Sequence, residues 1–208
     1  MLLFGHHDSG HAYKVRLFLL MAELPHQFEW VDINLPRHAR SEAFQNASAF
    51  GEVPVLLDEG RSWCQSNAIL IHLAQKIQRF CGEPQEWSRL MEWLFWEPNR
   101  INFSVPNLRY AYRFVPQPPE VLAYLAARAQ ADLKTLDAHL SQQLFLLSSG
   151  FTIADISCAS YLFWAEEARL NLTPYPHLRR WLHDIQKQPG WLPAYEALSR
   201  PAKSQLLS

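Results

Sequence analysis

Two short segments in the first third of the chain carry groups that could bind a small carboxylate. Val53-Pro54 lies in an apolar run, 51–57, that has the pattern of a strand, and a proline is tolerated where a strand begins. Eleven residues after Pro54, Gln65-Ser66 opens a stretch with the apolar spacing of a helix. With Ser66 at the N-cap, its hydroxyl and the first N–H groups of the helix would face an anion.

A second polar segment precedes the first helical pattern and contains Ser9. An isolated serine at such a place is typical of an N-cap, and only its context favours a catalytic role. His6, His7 and His11 crowd the same loop. Three histidines can suggest a metal, but we find no carboxylate or cysteine at ligand spacing. We therefore interpret His6 and His7 as solvated loop histidines, with His11 as the exception, and predict no metal site.

Composition excludes several classes of protein. The chain has 208 residues, 49% of them hydrophobic, and a formal net charge of −1, so it has no field that would attract nucleic acid or an anionic membrane. Its cysteines, Cys64, Cys81 and Cys158, are too scattered for a disulfide framework or a structural zinc site. Neither a signal peptide nor a membrane-spanning run is evident. We expect a cytoplasmic protein that binds neither nucleic acid nor membranes.

The elements that position these residues follow from periodicity. The pattern predicts strand 2–4, a helix that starts near His11 and is stopped by Pro25, and strand 28–33. It then predicts a short helix over 38–46, strand 51–57, its hairpin partner 61–64 and the helix that Ser66 caps. Two strands joined by a helix, followed by a hairpin and a covering helix, make a thioredoxin-like α+β domain. We place this domain at residues 1–79.

The remainder of the chain has only helical patterns. Gly82 and Pro84 mark a boundary, and residues 89–208 are predicted to form an all-α helical-bundle domain. Four helical patterns are centred near 90, 133, 159 and 182. The prolines between Pro98 and Pro119 predict that the first of these helices is kinked or split. Phe151-Thr152-Ile153-Ala154-Asp155 has the residues of a capping box and predicts a buried helix start.

Four motifs occur in the order and in the domains that one known family shows. They are Val53-Pro54, Gln65-Ser66-Asn67-Ala68-Ile69, Thr152-Ile153-Ala154-Asp155 and Tyr175-Pro176-His177-Leu178-Arg179-Arg180-Trp181-Leu182. A thioredoxin-like domain with the first two motifs, joined to an all-α domain with the others, resembles the cytosolic glutathione transferase family over essentially the whole chain. Ser9-Gly10-His11 and Trp93-Leu94-Phe95-Trp96 are similar to bacterial members with a serine-type active site.

The resemblance implies a role for each matching residue toward glutathione. The backbone of Val53, before a cis Pro54, would pair with the cysteinyl part, and Gln65 and Ser66 would hold the γ-glutamyl end. Ser9 would donate to the sulfur, with His11 able to assist or replace it.

This chain departs from the family pattern at one position, and the resemblance also implies residues of an electrophile pocket. Glu52 puts a carboxylate where the family often has an amide or ammonium at the glycyl end, and His38, Arg37 or Arg40 could compensate. The kinked helix of the family lines the pocket for the electrophile. The residues expected there are Tyr13, read as pocket wall or core, and Trp96, Phe103 and Tyr112.

We expect a glutathione transferase whose bound thiolate attacks a small hydrophobic electrophile in detoxification. The same thiolate could instead reduce a disulfide or a peroxide without a protein cysteine. A non-catalytic scaffold or regulator of the same fold is the third reading. Family members usually form homodimers, so we expect a homodimer whose partners are glutathione and the electrophile.

Overall fold

Two separately packed units make up the computed structural model, which describes residues 1–199. The first contains Met1–Ile77 together with the described part of the C-terminal segment, 189–199, and the second is Gln78–Gln188. Residues 189–199 are predicted from the sequence to belong to the helical domain, whereas their contacts group them with the first unit. No helix within the described residues is both long enough and apolar enough to cross a membrane.

The first unit is an α+β layer structure on one four-stranded sheet. Its strands are β1 (Leu2–Gly5), β2 (Gln27–Trp30), β3 (Val55–Asp58) and β4 (Arg61–Cys64), and its first three helices are α1 (Gly10–Met21), α2 (Glu42–Ala47) and α3 (Ser66–Ile77). The strand order is β2-β1-β3-β4, with β1 and β2 parallel and the other neighbours antiparallel. This is the predicted thioredoxin-like layout.

Alternation along the central strands creates two apolar faces. Phe4 and Val55 are register partners, and both contact Phe44 of α2 in one buried cluster. Leu3 and Leu56 are also partners and are fully buried, so period-2 alternation directs them to the opposite face. The sheet therefore needs helices on both sides, which agrees with the position of α2 on one of them.

Three predicted boundaries differ from the structure for local reasons. The strand predicted at 51–57 begins only at Val55, because Gly51 has a φ of 73° that no extended strand adopts. The strand predicted at 28–33 ends at Trp30, and Asp32 then accepts a hydrogen bond from the Asn34 N–H in a turn. The helix predicted at 38–46 is a 3₁₀ turn, Arg37–Ala39, followed by α2.

The second unit is entirely helical within its described residues. It contains α4 (Trp87–Asn99), α5 (Ile101–Arg113), α6 (Pro119–Leu140), α7 (Ile153–Ala159) and α8 (Pro176–Gln186), with 3₁₀ turns at Pro84–Glu86 and Ser160–Trp164. The predicted split of the first long helix is confirmed: α4 and α5 meet at Arg100, whose φ of −120° and ψ of −107° are not helical. These helices form the predicted all-α domain.

A buried carboxylate organises the centre of the second unit. Asp155 Oδ2 accepts from the Thr152 N–H at 2.8 Å, which confirms the predicted capping box. Asp155 Oδ1 accepts from the Leu146 N–H and from Trp181 Nε1, each at 2.8 Å. Burial raises the pKa of Asp155 to about 6, against the opposing effect of these donors. One side chain thus joins the start of α7 to the preceding loop and to α8.

Replacement of Asp155 by asparagine should destabilise the second unit by about 3 kcal/mol, because an amide NH₂ would face a buried donor. Denaturant unfolding at pH 7 measures the loss. Asp184→Asn is the matched control, since Asp184 forms only partly exposed pairs with Arg180 and Lys187. A loss for Asp155→Asn no larger than for Asp184→Asn would contradict the organising role.

The C-terminal segment 189–199 packs closely on α1. Tyr13 Oη donates to the Leu192 carbonyl at 2.8 Å, and a short helix, α9 (Ala194–Ala197), contacts α1. Gly190 has a φ of 78°, and a Cβ built on it would lie 2.8 Å from the Leu20 carbonyl oxygen. Only glycine fits this position, because both its backbone conformation and its neighbour exclude a side chain.

Gly190→Ala should therefore destabilise the first unit more than Gly60→Ala. Gly60 has a nearly equal φ of 75° but nothing within 4 Å of the added Cβ, so its replacement carries the conformational cost alone. We expect about 1 kcal/mol for Gly60→Ala and about 2 kcal/mol more for Gly190→Ala. Equal losses in thermal or denaturant unfolding would show that the C-terminal segment does not pack on α1 as described.

Candidate functional site

The sheet register brings three chain segments to one edge. Val55, the first residue of β3, pairs with Phe4 near the end of β1 and with Cys64 at the end of β4. The loop into α1, the peptide before β3 and the residue before α3 therefore emerge together. These are the segments that carry Ser9, Val53-Pro54 and Gln65-Ser66. The Val53-Pro54 peptide bond is cis.

Ser9 is the N-cap of α1. Its Oγ accepts from the Ala12 N–H at 3.1 Å, and its side chain is largely buried. The cap uses a lone pair of the hydroxyl oxygen and leaves the O–H hydrogen able to donate. The capping and catalytic interpretations of Ser9 are therefore compatible, because one hydroxyl can serve the helix and an anion at once.

His11 lies in the first turn of α1 and joins it to α3. Its Nδ1 is 3.5 Å from Ser66 Oγ, so the N-terminal ends of the two helices meet. Burial, and then the nearby positive charge of Lys14, lower the pKa of His11 to about 3. His11 is consequently a neutral imidazole at physiological pH and acts there as a polar group without charge.

The start of α3 differs by one residue from the prediction that Ser66 is its N-cap. Gln65 has a φ of 69°, and its carbonyl accepts from the Ile69 N–H at 3.0 Å, which makes Gln65 the capping residue and Ser66 the first helical residue. Ser66 is nevertheless buried at the helix end, near the first free turn of backbone donors. An anion there would still meet a hydroxyl and the positive end of α3.

The segment before Pro54 is held by polar contacts on both sides. The Ser48 hydroxyl donates to the Glu52 carbonyl at 3.2 Å, and Gln65 Nε2 donates to Glu52 Oε2 at 3.2 Å. Arg37 Nη2 donates to the Ser48 carbonyl at 2.6 Å, and Arg40 Nη1 donates to the Gly51 carbonyl at 2.5 Å. Both arginines thus hold this loop through backbone carbonyls.

His38 is exposed in the 3₁₀ turn before α2, where its carbonyl accepts from Gln45 Nε2 at 3.3 Å. The predicted role of its imidazole at the glycyl end stays a prediction.

His6, in the loop after β1, is not a solvated histidine, contrary to the sequence-based interpretation, whereas its neighbour His7 is exposed. His6 is 4% exposed, and a carboxylate that was not predicted as a ligand, Asp8, follows His7 directly in the sequence. His6, His7 and Asp8 each bring a ligand atom within 4.8 Å of one another. However, His6 Nδ1 accepts from the Asp8 N–H and His7 Nδ1 accepts from Trp30 Nε1. In each neutral ring the proton is then on Nε2, so ligation through Nε2 would require these hydrogen bonds to break.

The residues predicted to line an electrophile pocket have different surroundings within their own units. Tyr13 is fully buried in the first unit, where burial raises its pKa, so it presents no surface to a ligand. Phe103 and Tyr112 are nine residues apart on α5 and so lie on opposite faces of that helix. Phe103 is covered by the Arg128 guanidinium, and Trp96 packs edge-on against a neighbouring tryptophan of α4.

Tyr112 lines a cavity of about 290 Å³ within the second unit, and the Arg169 guanidinium lies 4.2 Å from the centre of its ring. The other walls come from α5, α6 and the segment 168–175. This cavity leaves room beside one of the predicted aromatic residues.

One buried cation near the site was missed by sequence reasoning. Lys14 is fully buried on α1, and its Nζ donates to Asn67 Oδ1, in the first turn of α3, at 2.7 Å. The sequence contains a signal for this burial, because the lysine lies between apolar residues in a helix that is covered on two sides. Burial of a charge requires polar partners, which the first turn of α3 provides.

Comparison with known proteins gives matches in both units. The family model described as Glutathione S-transferase, N-terminal domain, matches residues 3–79, and that described as Glutathione S-transferase, C-terminal domain, matches residues 119–184. The chain is similar to the disulfide-bond oxidoreductase YfcG of Escherichia coli K12, with 29% identity over 201 residues that cover 91% of each protein.

Solved structures give the same result. A glutathione S-transferase from Pseudomonas fluorescens superposes with a TM-score of 0.85 at 28% identity, covering 93% of this chain and 98% of that one. A glutathione transferase from Pseudomonas putida, solved with one glutathione disulfide bound per subunit, superposes with a TM-score of 0.83. It covers 97% of this chain and 91% of its own, and its 19% identity supports the fold alone.

The neutral state of His11 should make stability depend on pH. Its pKa is about 3 in the folded protein and near 6.5 when unfolded, so between these values only the unfolded chain takes up the proton. Stability therefore falls as pH falls through this window, by about 2 kcal/mol between pH 7 and pH 5. His11→Gln should remove that part of the dependence in denaturant unfolding.

The exposed His38 provides the control, since His38→Gln should keep the full dependence. Any pH dependence of stability that persists in His11→Gln comes from other groups, such as His26, whose pKa is also lowered by burial. Identical pH dependence in His11→Gln and the wild type would contradict a neutral His11 in the folded protein.

Proposed function

Because the chain belongs to the glutathione S-transferase family, we propose that it binds glutathione in the first unit and directs the thiolate at a small hydrophobic electrophile. One observation carries the proposal: the N-terminal ends of α1 and α3 meet at the sheet edge, with His11 Nδ1 3.5 Å from Ser66 Oγ. Two helix N-termini favour anions, and glutathione offers a thiolate and a carboxylate. Glutathione is a co-substrate in this proposal.

The free energy needed to lower the pKa of the glutathione thiol is small enough for these groups to supply. A free thiol has a pKa of about 8.5, and a shift to about 6.5 corresponds to roughly 2.7 kcal/mol. A hydrogen bond to a charged group contributes about 1.5 to 3 kcal/mol, and a helix N-terminus adds about 0.5 kcal/mol. One hydroxyl at the start of α1 is therefore sufficient, and no proton relay is needed.

Each residue then has a distinct task. Ser9 donates to the sulfur, and the backbone of Val53 pairs with the cysteinyl part of glutathione. Gln65 and Ser66 hold the γ-glutamyl end at the start of α3. Neutral His11 supplies a polar contact near the sulfur without a charge of its own, because its pKa is about 3.

In the transferase reaction the thiolate sulfur forms a bond to an electrophilic carbon. With an aryl halide the carbon–halogen bond breaks and halide leaves with the electron pair. The proton of the thiol has already gone to solvent, so the residues of the site need only hold the thiolate and orient it.

Thiol–disulfide exchange is a second candidate, favoured by the similarity to the oxidoreductase YfcG over 91% of both chains. The bound thiolate would attack one sulfur of a disulfide, form a mixed disulfide with glutathione and release the other sulfur as a thiolate. A second glutathione would then release the remaining thiol as glutathione disulfide forms. The two electrons come from two molecules of glutathione.

No protein cysteine is required for either reaction. Cys64 stands next to Gln65 in sequence, but its Sγ lies 3.8 Å from the Ala47 carbonyl and packs against the apolar cluster of Phe4 and Val55. We therefore expect Cys64→Ala to retain whichever activity the wild type has.

The two candidate reactions can be distinguished by the products that they form. Glutathione is supplied with an aryl halide in one assay and with a small mixed disulfide in another, and the conjugate or the released thiol is measured. Conjugate formation supports the transferase, and disulfide reduction without conjugation supports the second candidate. A folded protein that binds no glutathione would overturn both and favour a scaffold.

Ser9→Ala should raise the pKa of bound glutathione by about 1 to 2 units, because the donor to the thiolate is lost. Ultraviolet absorbance of the thiolate, followed against pH at saturating glutathione, measures this pKa. Ser9→Thr keeps both hydroxyl and cap and should shift the pKa little. Because Ser9→Ala also loses the helix cap, its free energy of unfolding is measured in parallel. We expect that free energy to fall by about 1 kcal/mol. An unchanged pKa in Ser9→Ala would rule out Ser9 as the donor.

A further inference from the structure

The start of α3 has a negative group beside its positive end. Gln65 Nε2 donates to Glu52 Oε2 at 3.2 Å, so a carboxylate lies next to the residue that caps the helix. Both side chains are exposed, which leaves them accessible to a ligand. The positive end of α3 and the negative carboxylate of Glu52 therefore lie side by side in the first unit.

The conformations of both residues are determined by other contacts. Gln65 has a φ of 69°, and its carbonyl accepts the first hydrogen bond of α3, from Ile69. The carbonyl of Glu52 accepts from the Ser48 hydroxyl at 3.2 Å. Because Nε2 of Gln65 donates to Glu52, the Oε1 atom is the acceptor that this side-chain amide can present to a ligand.

A γ-glutamyl group has charges that match this arrangement. Its α-carbon carries a carboxylate and an ammonium, so a receptor must offer opposite charges a few ångströms apart. The start of α3 with Ser66 suits the carboxylate. Glu52, together with Oε1 of Gln65, suits the ammonium.

We propose that Glu52 determines specificity for the amino end of the thiol peptide, attracting its ammonium and holding Gln65 so that Oε1 faces it. The inference rests on the proposed binding of glutathione. It assigns to Glu52 a role different from the one that its place in the family pattern suggested, where its charge would oppose the glycyl carboxylate. Glu52 is a positioning and specificity residue in this proposal and takes no part in bond formation.

Two analogues of glutathione separate the two ends of the peptide. Glutaryl-cysteinyl-glycine lacks the ammonium but keeps every carboxylate, and glutathione with an amidated glycine lacks only the glycyl charge. Calorimetric titration of each into the wild type and Glu52→Gln gives two affinity ratios, one for each end. Glu42→Gln, which removes an exposed carboxylate from the first turn of α2, is the matched control for net charge.

We expect Glu52→Gln to reduce the preference for glutathione over the glutaryl analogue about fivefold, the size of a favourable exposed charge interaction. The ratio for the glycyl amide should stay the same, and Glu42→Gln should change neither ratio. A merely structural effect of Glu52 would weaken all three ligands alike and leave both ratios unchanged, which would overturn the proposal.

A change in the glycyl ratio, with the amino-end ratio unchanged, would also overturn it and would place Glu52 at the glycyl end. The proposed function fails separately, through absence of glutathione binding by the folded wild type. The two failures are therefore distinguishable in one set of titrations.

Discussion

The pairing of Val55 with both Phe4 and Cys64 is the constraint on which the site depends. Because side chains alternate along a strand, a slip of one residue in either ladder would move every side chain of the slipped strand to the opposite face of the sheet. The packing of Phe44 against Phe4 and Val55 opposes such a slip. The register that the core requires is thus also the register that brings the starts of α1 and α3 to one edge.

The chemistry of that edge comes mainly from backbone groups. Two helix N-termini and the Ser9 and Ser66 hydroxyls favour anions, while His11 is kept neutral by burial and by Lys14. A neutral imidazole avoids a second buried cation beside Lys14, which is already held by Asn67. The result is a site that can stabilise a thiolate while Glu52 adds a negative charge at the rim, next to Gln65.

Apolar periodicity predicted the layout of both units, because it reflects the burial that stabilises them. It could not predict the backbone conformation of Gln65, whose φ of 69° moves the cap of α3 by one residue from Ser66. Nor did it show that His6 would be buried or that Tyr13 would reach Leu192 in the C-terminal segment. Such contacts join residues distant in sequence, and a local pattern carries no information about them.

The most direct test of a glutathione site at the start of α3 is calorimetric titration of glutathione into the wild type and Ser66→Ala at pH 7. Binding by the wild type, weakened about fivefold or more in Ser66→Ala, is the predicted result. Ser62→Ala, an exposed serine of β4, should bind like the wild type. Absence of binding by a folded wild type, or equal binding by Ser66→Ala, would contradict the account.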